Sequence, residues 1–260
     1  MIRKLGRRPC SCLGLGTCSA LLAGAVLLTG TPAAAQDTTL GFARHKPYVE
    51  SPQSVAFELR FGRYIPDVDD GLGEAPYNTI FGSKNRFYGG FEIDWQALRI
   101  PYLGTLGAGY GLGYTISSAK AISVTGDRSD EDTTLQILPM YLVAVLRADV
   151  VAKHTVIPVV PYAKLGLGYA LWRTEDGGDT PRVDGVIGRG RSYGYHAALG
   201  GMFMLDWFDV ADARTADANI GLNHSYVFAE WFVSKLDGFG SKDQLNVGTS
   251  TWTAGLAFEF

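Results

Sequence analysis

Cysteine is confined to the first 18 residues: Cys10, Cys12 and Cys18 are all there are. Disulfides, thiolate nucleophiles and cysteine-ligated metals are thereby excluded from the rest of the chain. Histidine is nearly as scarce, with His45, His154, His196 and His224 scattered along the sequence. Such spacing builds no zinc site, so neither a metal nor a cofactor is expected. Positive charge is also short. The 23 Lys and Arg face 26 Asp and Glu, a formal net charge of −3, which argues against nucleic acid as a partner. Past residue 35 no apolar run reaches the roughly 18 residues that a membrane-crossing helix needs. Glycine, by contrast, is abundant at 33 residues, and it lacks the three-residue period of collagen.

The first 35 residues read as a secretory signal peptide. Arg3, Lys4, Arg7 and Arg8 precede an apolar stretch over residues 13–28, which ends at Gly30, Thr31 and Pro32, then Ala33, Ala34 and Ala35. A basic start, an apolar middle and a small-residue exit suit cleavage before Gln36. Loss of the four basic residues takes the formal charge from −3 to −7. Residues 36–53 then form a periplasmic lead-in to one domain over residues 54–260.

That domain reads with a period of two, the side-chain alternation of β-strands. Over residues 54–63, Val55, Phe57, Leu59 and Phe61 alternate with Ala56, Glu58, Arg60 and Gly62. Over residues 105–117, Leu106, Ala108, Tyr110, Leu112, Tyr114 and Ile116 oppose four glycines, Thr115 and Ser117. Six more strands are expected at residues 87–96, 135–149, 159–173, 192–205, 223–235 and 247–260. In the segment at 135–149, apolar on both faces, Ile137, Tyr141, Val143 and Val145 are taken as the outer set. Long polar links follow alternate strands, at residues 65–85, 118–134, 174–191 and 236–246, and the opposite links are generally shorter. The pattern predicts an all-β fold, an eight-stranded antiparallel up-and-down transmembrane β-barrel with both ends periplasmic.

Alternation alone also fits a soluble barrel with its apolar face inside. Three features favour the inverted arrangement. The strands are long enough for the ~9–11 residues that a tilted span requires. Aromatics recur near strand ends, among them Tyr64, Trp95, Tyr114, Trp172, Tyr193 and Phe260, as interfacial girdles do. The sequence closes on an apolar strand face made of Trp252, Ala254, Leu256, Phe258 and Phe260.

The last twelve residues, TSTWTAGLAFEF, resemble the terminal strand by which outer-membrane proteins are recognised by their insertion machinery, with Trp252, Leu256, Phe258 and Phe260 as the signal. The general plan resembles the OmpA, OmpX and OmpW barrels. More closely, SVAFELRFGRYIPDVD, DWQALRIPYLGTLGAGYGLGY, VPYAKLGLGYALW and NHSYVFAEWF are similar to a family of outer-membrane β-barrel proteins from myxobacteria and related bacteria. This likeness covers most of residues 52–260. It implies the fold and a place in the Gram-negative outer membrane, and it transfers no functional residue. Outer-membrane lipid, lipopolysaccharide and, during biogenesis, the barrel-insertion machinery are the partners expected of such a protein.

Chemistry then has only the bore and the loops. Glu58, Arg60, Glu92, Asp94, Lys164, His196 and Glu230 are expected inside, with Glu259, as a polar network. Unpaired charges there are costly, so acids and bases should pair or keep water. A bore filled by such a network implies a structural or surface-interaction role and no enzymatic activity. Two other readings are a narrow porin-like channel lined by the same groups, and a lipid-modifying enzyme using His224, Ser225 and Glu230. Against the enzyme, adjacent strand residues face opposite ways. Acidic clusters at Asp67, Asp69, Asp70 and Glu74, and at Asp127, Asp130, Glu131 and Asp132, read as solvated external loops, with Ca²⁺ binding as the alternative.

Overall fold

The computed structural model describes residues 53–70, 72, 73, 75–122, 128–154, 157–183, 186–208, 210–241 and 244–260. The expected signal peptide and all but the last residue of the expected lead-in lie outside them, as do Glu74 and Asp127. In chain order the elements are β1 (Val55–Tyr64), α1 (Pro76–Phe81), β2 (Arg86–Ile100), β3 (Gly104–Ile122), β4 (Arg128–Arg147), α2 (Asp149–His154) and β5 (Val159–Asp176). After them come a two-residue pair, β6 (Arg182–Val183) and β7 (Val186–Ile187), then β8 (Arg189–Met204), a 3₁₀ turn (Leu205–Trp207), α3 (Val210–Ile220), β9 (His224–Lys235) and β10 (Thr249–Glu259). None of the described helices is long and apolar enough to cross a membrane.

Eight strands close into an antiparallel barrel in the order β1-β10-β9-β8-β5-β4-β3-β2. The eight segments with two-residue alternation are these eight strands. A path of paired residues shows how far the strands tilt. It starts at Ala56 near the foot of β1 and passes through Asp94, Gly109, Val143, Gly166, His196 and Ser234 to Thr249. The Thr249 hydroxyl then donates to the Ile65 carbonyl, beyond the opposite end of β1. That offset is the stagger that closure of a tilted sheet demands.

Alternation sorts the side chains by polarity. Leu142, Leu165 and Leu167 stand outward with more than 60% of their surface exposed, and Phe61, Ile93, Val227 and Trp252 share that outer face. Glu58, Glu92 and Glu230 point inward and have no exposed surface at all. Apolar outside and charged inside is the arrangement of a barrel solvated by hydrocarbon.

Two expectations about phase are corrected. Ile137, Tyr141, Val143 and Val145 face inward, and Leu138, Met140, Leu142 and Leu146 form the outer row of β4. Space decides this. Gly109 and Gly111 of β3 pair with Val143 and Tyr141, and the bulky β4 side chains lie over these glycines. A Cβ at Gly111 would collide with the Tyr141 ring. Tyr64 and Trp172 also leave the expected girdle, because each shares the phase of its strand's inward charge, Arg60 or Lys164. Tyr64 is buried and donates to the Val247 carbonyl at 2.6 Å, and Trp172 packs against the interior aromatic cluster. Trp95, Tyr114, Tyr193 and Phe260 do stand on the outer face.

The links at the loop end are shorter than polarity implied. β3 and β4 stay paired past Ser118↔Thr134 to Lys120↔Asp132, where the side chains also pair at 3.1 Å, and after a register shift to Ile122↔Arg128. Residues 65–85 contain α1, whose first turn is held by Asp69. The Asp69 carboxylate accepts the Tyr77 and Asn78 N–H groups at 2.7 and 2.9 Å, as a capping acid does. At the other end a tight turn joins β2 to β3, and Gly104 sits at φ 138°, a backbone state that side chains disfavour.

Gly111→Val is expected to lower the unfolding free energy of the detergent-folded barrel by ~1–3 kcal/mol through overpacking against Tyr141. Gly201→Ala, whose only close neighbour is a Val159 methyl at 3.8 Å, is expected to stay within about 0.5 kcal/mol of the native chain. Denaturant titration followed by tryptophan fluorescence checks both.

Candidate functional site

The inward charges meet in the middle of the bore. Glu58 of β1 lies directly opposite Glu92 of β2, a like-charge pair that repels unless a cation stands between them. Two do. Lys164 Nζ of β5 reaches Glu58 Oε2 at 2.8 Å and Glu92 Oε1 at 2.7 Å. Arg60 Nη2 reaches Glu58 Oε2 at 2.6 Å and Glu92 Oε2 at 2.9 Å, and its Nη1 donates to Glu230 Oε1 of β9 at 2.7 Å. Four strands from β1 in either direction around the barrel, Lys164 arrives from across the bore, so the cluster ties opposite walls together.

A third cation completes the set. Arg147, the last residue of β4, donates to Glu58 Oε1 at 2.9 Å and to Asp94 Oδ2, and lies 3.5 Å from Glu259 Oε1. Glu259 also accepts from Tyr226 at 2.9 Å and from Gln96. Glu58, Glu92 and Asp94 bring carboxylate oxygens within 4.8 Å of one another, a spacing that suits a metal ion. Here the guanidinium and ammonium groups of Arg60, Arg147 and Lys164 occupy that role. Five acids against three bases leave a formal excess of two negative charges among these residues.

Aromatic and apolar layers lie on both sides. Toward the long loops, Tyr64, Tyr88, Ile137, Phe232 and Leu236 cluster with Tyr77 and Phe81 of α1, and the Tyr77 hydroxyl is 2.8 Å from Ser117 Oγ. His196 belongs to this layer. Its ring stacks on Tyr141 at 4.1 Å with the planes 2° apart, and its Nδ1 is 2.5 Å from Ser234 Oγ. On the other side Val160, Tyr162, Met202, Tyr226, Phe228 and Ala257 cluster, with Ala152 of α2 against them. Lys164 Nζ stands 4.9 Å over the Tyr162 ring and Arg60 5.6 Å over those of Tyr141 and Phe228, cation–π contacts that help hold desolvated charge.

All seven residues singled out for the interior, Glu58, Arg60, Glu92, Asp94, Lys164, His196 and Glu230, are buried to 2% exposure or less. Six meet in the charge cluster, and His196 stands apart in the aromatic layer. Arg147 escaped the sequence reading because it shares the phase that was assigned outward on β4. The signal that finds it is charge balance: five inward acids had only two inward bases.

The end of the bore carrying both termini of the barrel holds a cavity of about 230 Å³ lined by Arg147, Asp149, His224, Tyr226 and Glu259. His224 Nδ1 lies 2.7 Å from Asp206 Oδ2 there, and Asp206 also accepts the Ser225 N–H at 3.2 Å. Alternation puts the Ser225 side chain on the opposite face of β9 from the buried Tyr226, Phe228 and Glu230. His224 therefore pairs with a carboxylate, and the side chain of its neighbour Ser225 faces the other way. Trp252, Leu256 and Phe260 stand exposed on the outer side of β10, with Phe258 partly covered between them. The Phe260 carbonyl accepts from Ser54 and Val55.

No protein-family model matches the sequence, and comparison with curated proteins finds no match. Among solved structures, the attachment invasion locus protein Ail of Yersinia pestis, in complex with the heparin analogue sucrose octasulfate, is similar at 16% identity and a TM-score of 0.42 over 82% of this chain and 100% of its own. The outer membrane protein OprG of Pseudomonas aeruginosa is similar at 12% identity and 0.45, over 81% and 97%. The N-terminal β-barrel domain of Pseudomonas aeruginosa OprF is similar at 13% and 0.35, over 80% and 98%. The topology given above rests on this chain's own strand register.

Arg60→Ala leaves Glu58, Glu92 and Glu230 with Lys164 as the nearest cation and is expected to cost ~3–5 kcal/mol, the usual result of orphaning a buried ion pair. Arg147→Ala is expected to fall in the same range. Equilibrium urea unfolding in phospholipid vesicles measures both.

Proposed function

We propose that this chain is an integral protein of the Gram-negative outer membrane, exported by a cleavable segment over residues 1–35, with a structural or surface-interaction role and no solute path. The observation that carries this reading is the interior: among the described residues all three buried cations are committed to carboxylates, between aromatic layers that reach across the bore. An ion entering would have to break contacts of 2.6–2.9 Å in a medium where each unpaired charge is costly. The outward leucines and the exposed Trp95, Tyr193 and Trp252 support a hydrocarbon surround with interfacial aromatics.

The likeness of residues 54–69 and the other quoted stretches to myxobacterial outer-membrane barrels supports the same location. Outer-membrane lipid and lipopolysaccharide are then the permanent surround. The outer row of β10, with Trp252, Leu256, Phe258 and Phe260, is the feature that the insertion machinery would read. An enzymatic role finds no support in His224, which is held by Asp206.

Planar-bilayer recording of the purified full chain tests the reading. No discrete conductance steps are expected from protein that migrates on gels in the compact, heat-modifiable form. Reproducible single-channel steps from that form would favour the narrow channel.

A further inference from the structure

The outer face of β5 and β8 carries a cluster of charge that the barrel itself does not use. Arg173 of β5 lies directly opposite Arg189 of β8, and Arg191, two residues along the same face, lies opposite Leu171. Directly opposed like charges destabilise a sheet unless something neutralises them. The register cannot slip to relieve the pair. Between the two positions Trp172 faces Gly190, and a Cβ there would meet the indole ring at 2.5 Å.

Internal partners account for only one of the three guanidinium groups. Arg173 reaches Glu175 at 3.0 Å and Thr180 Oγ1 at 2.9 Å, and Glu175 also accepts from Gln136 at 3.3 Å. Arg189 and Arg191 are exposed and have no ion pair or side-chain hydrogen bond among the described residues. The three border a groove of about 720 Å³ on the outer wall, whose floor includes Tyr114, Leu138, Tyr169 and Leu171. Its depth in the membrane follows from register. Tyr169 pairs with Tyr193 in the outer aromatic row; Leu171 and Arg191 lie two residues further toward the long loops, and Arg173 and Arg189 four. At ~3.3 Å per residue the guanidinium groups stand roughly 7–13 Å beyond the tyrosines along the strands, the level at which headgroups meet hydrocarbon.

The geometry points to a binding site for a phosphorylated outer-leaflet lipid of the lipid A type, its acyl chains in the groove over Tyr169 and Leu171 and its phosphate held by Arg189 and Arg191 with Arg173 behind them. Guanidinium forks bind phosphate in a bidentate way, and the bound anion removes the cross-strand repulsion. This inference rests on the membrane reading above, and it adds which wall is occupied and by what chemistry.

The test uses the full chain in phosphatidylcholine nanodiscs, with lipid A, dephosphorylated lipid A and inorganic phosphate as probes. Lipid A is expected to bind the native chain at least tenfold more tightly than Arg189→Ala/Arg191→Ala, while dephosphorylated lipid A binds both equally. Ten millimolar inorganic phosphate is expected to leave lipid A binding unchanged. In lipid-A-free discs the double variant is expected to melt no lower than the native chain. Equal lipid A affinity in the two proteins overturns the site. Displacement by inorganic phosphate alone overturns the lipid assignment, and a lower melting temperature assigns the arginines to the barrel's own packing. Failure of the native chain to enter nanodiscs at all would contradict the membrane reading instead.

Discussion

Carboxylates that cannot reach water must be answered by cations inside the same bore, and this requirement organises the structure. Glu58 and Glu92 face each other across the β1–β2 ladder and would force those strands apart on their own. Lys164 from β5, Arg60 from β1 and Arg147 from β4 converge on them. Each of these groups is held by its strand's alternation, so a slip of one residue in any ladder would send a charge into hydrocarbon and an apolar side chain into the cluster. The ion pairs fix register and give the closed sheet one arrangement.

Volume is matched as closely as charge. The inward side of β3 offers Gly109, Gly111 and Gly113, and Val143, Tyr141 and Tyr88 from the flanking strands take up the room. Neither set makes sense alone: glycines on a strand weaken it unless another group packs over them, and tyrosines inside an eight-stranded bore need space beside them. The aromatic layer so formed covers the charges toward the long loops, where α1 adds Tyr77 and Phe81 from above. On that side low-dielectric side chains surround the ion pairs, which strengthens each of them.

Most of this was legible in the sequence wherever the two faces of a strand differ in polarity. In β1, β3, β5, β8 and β10 a single charged or glycine-rich face sets the phase. β4 was misread because both of its faces are apolar, and hydrophobicity carries no phase in that case. Arg147 would have supplied it, since it sits an even number of residues from Tyr141 and the five inward acids call for a further inward base. α1 left no periodic trace because six residues make less than two turns. Its anchor, Asp69, read as one acid among several in a solvated loop, and only the fold brings its carboxylate to the helix start. Tyr64 and Trp172 show a further limit. An aromatic near a strand end belongs to a girdle only if its phase points outward.

The outer wall follows the complementary rule, with hydrocarbon-facing leucines between aromatic rows and arginines beyond one of them. The claim on which everything rests is therefore the sidedness of the strands, and neighbouring residues of β4 test it most directly. Methyl signals of the chain in bilayer nanodiscs can be read with a spin label carried on the lipid tails. Leu142, Leu165, Leu167 and Val227 should broaden strongly, and Ile137, Val143 and Val145 should be spared. Broadening of Val143 and Val145 with sparing of Leu142 would contradict the account.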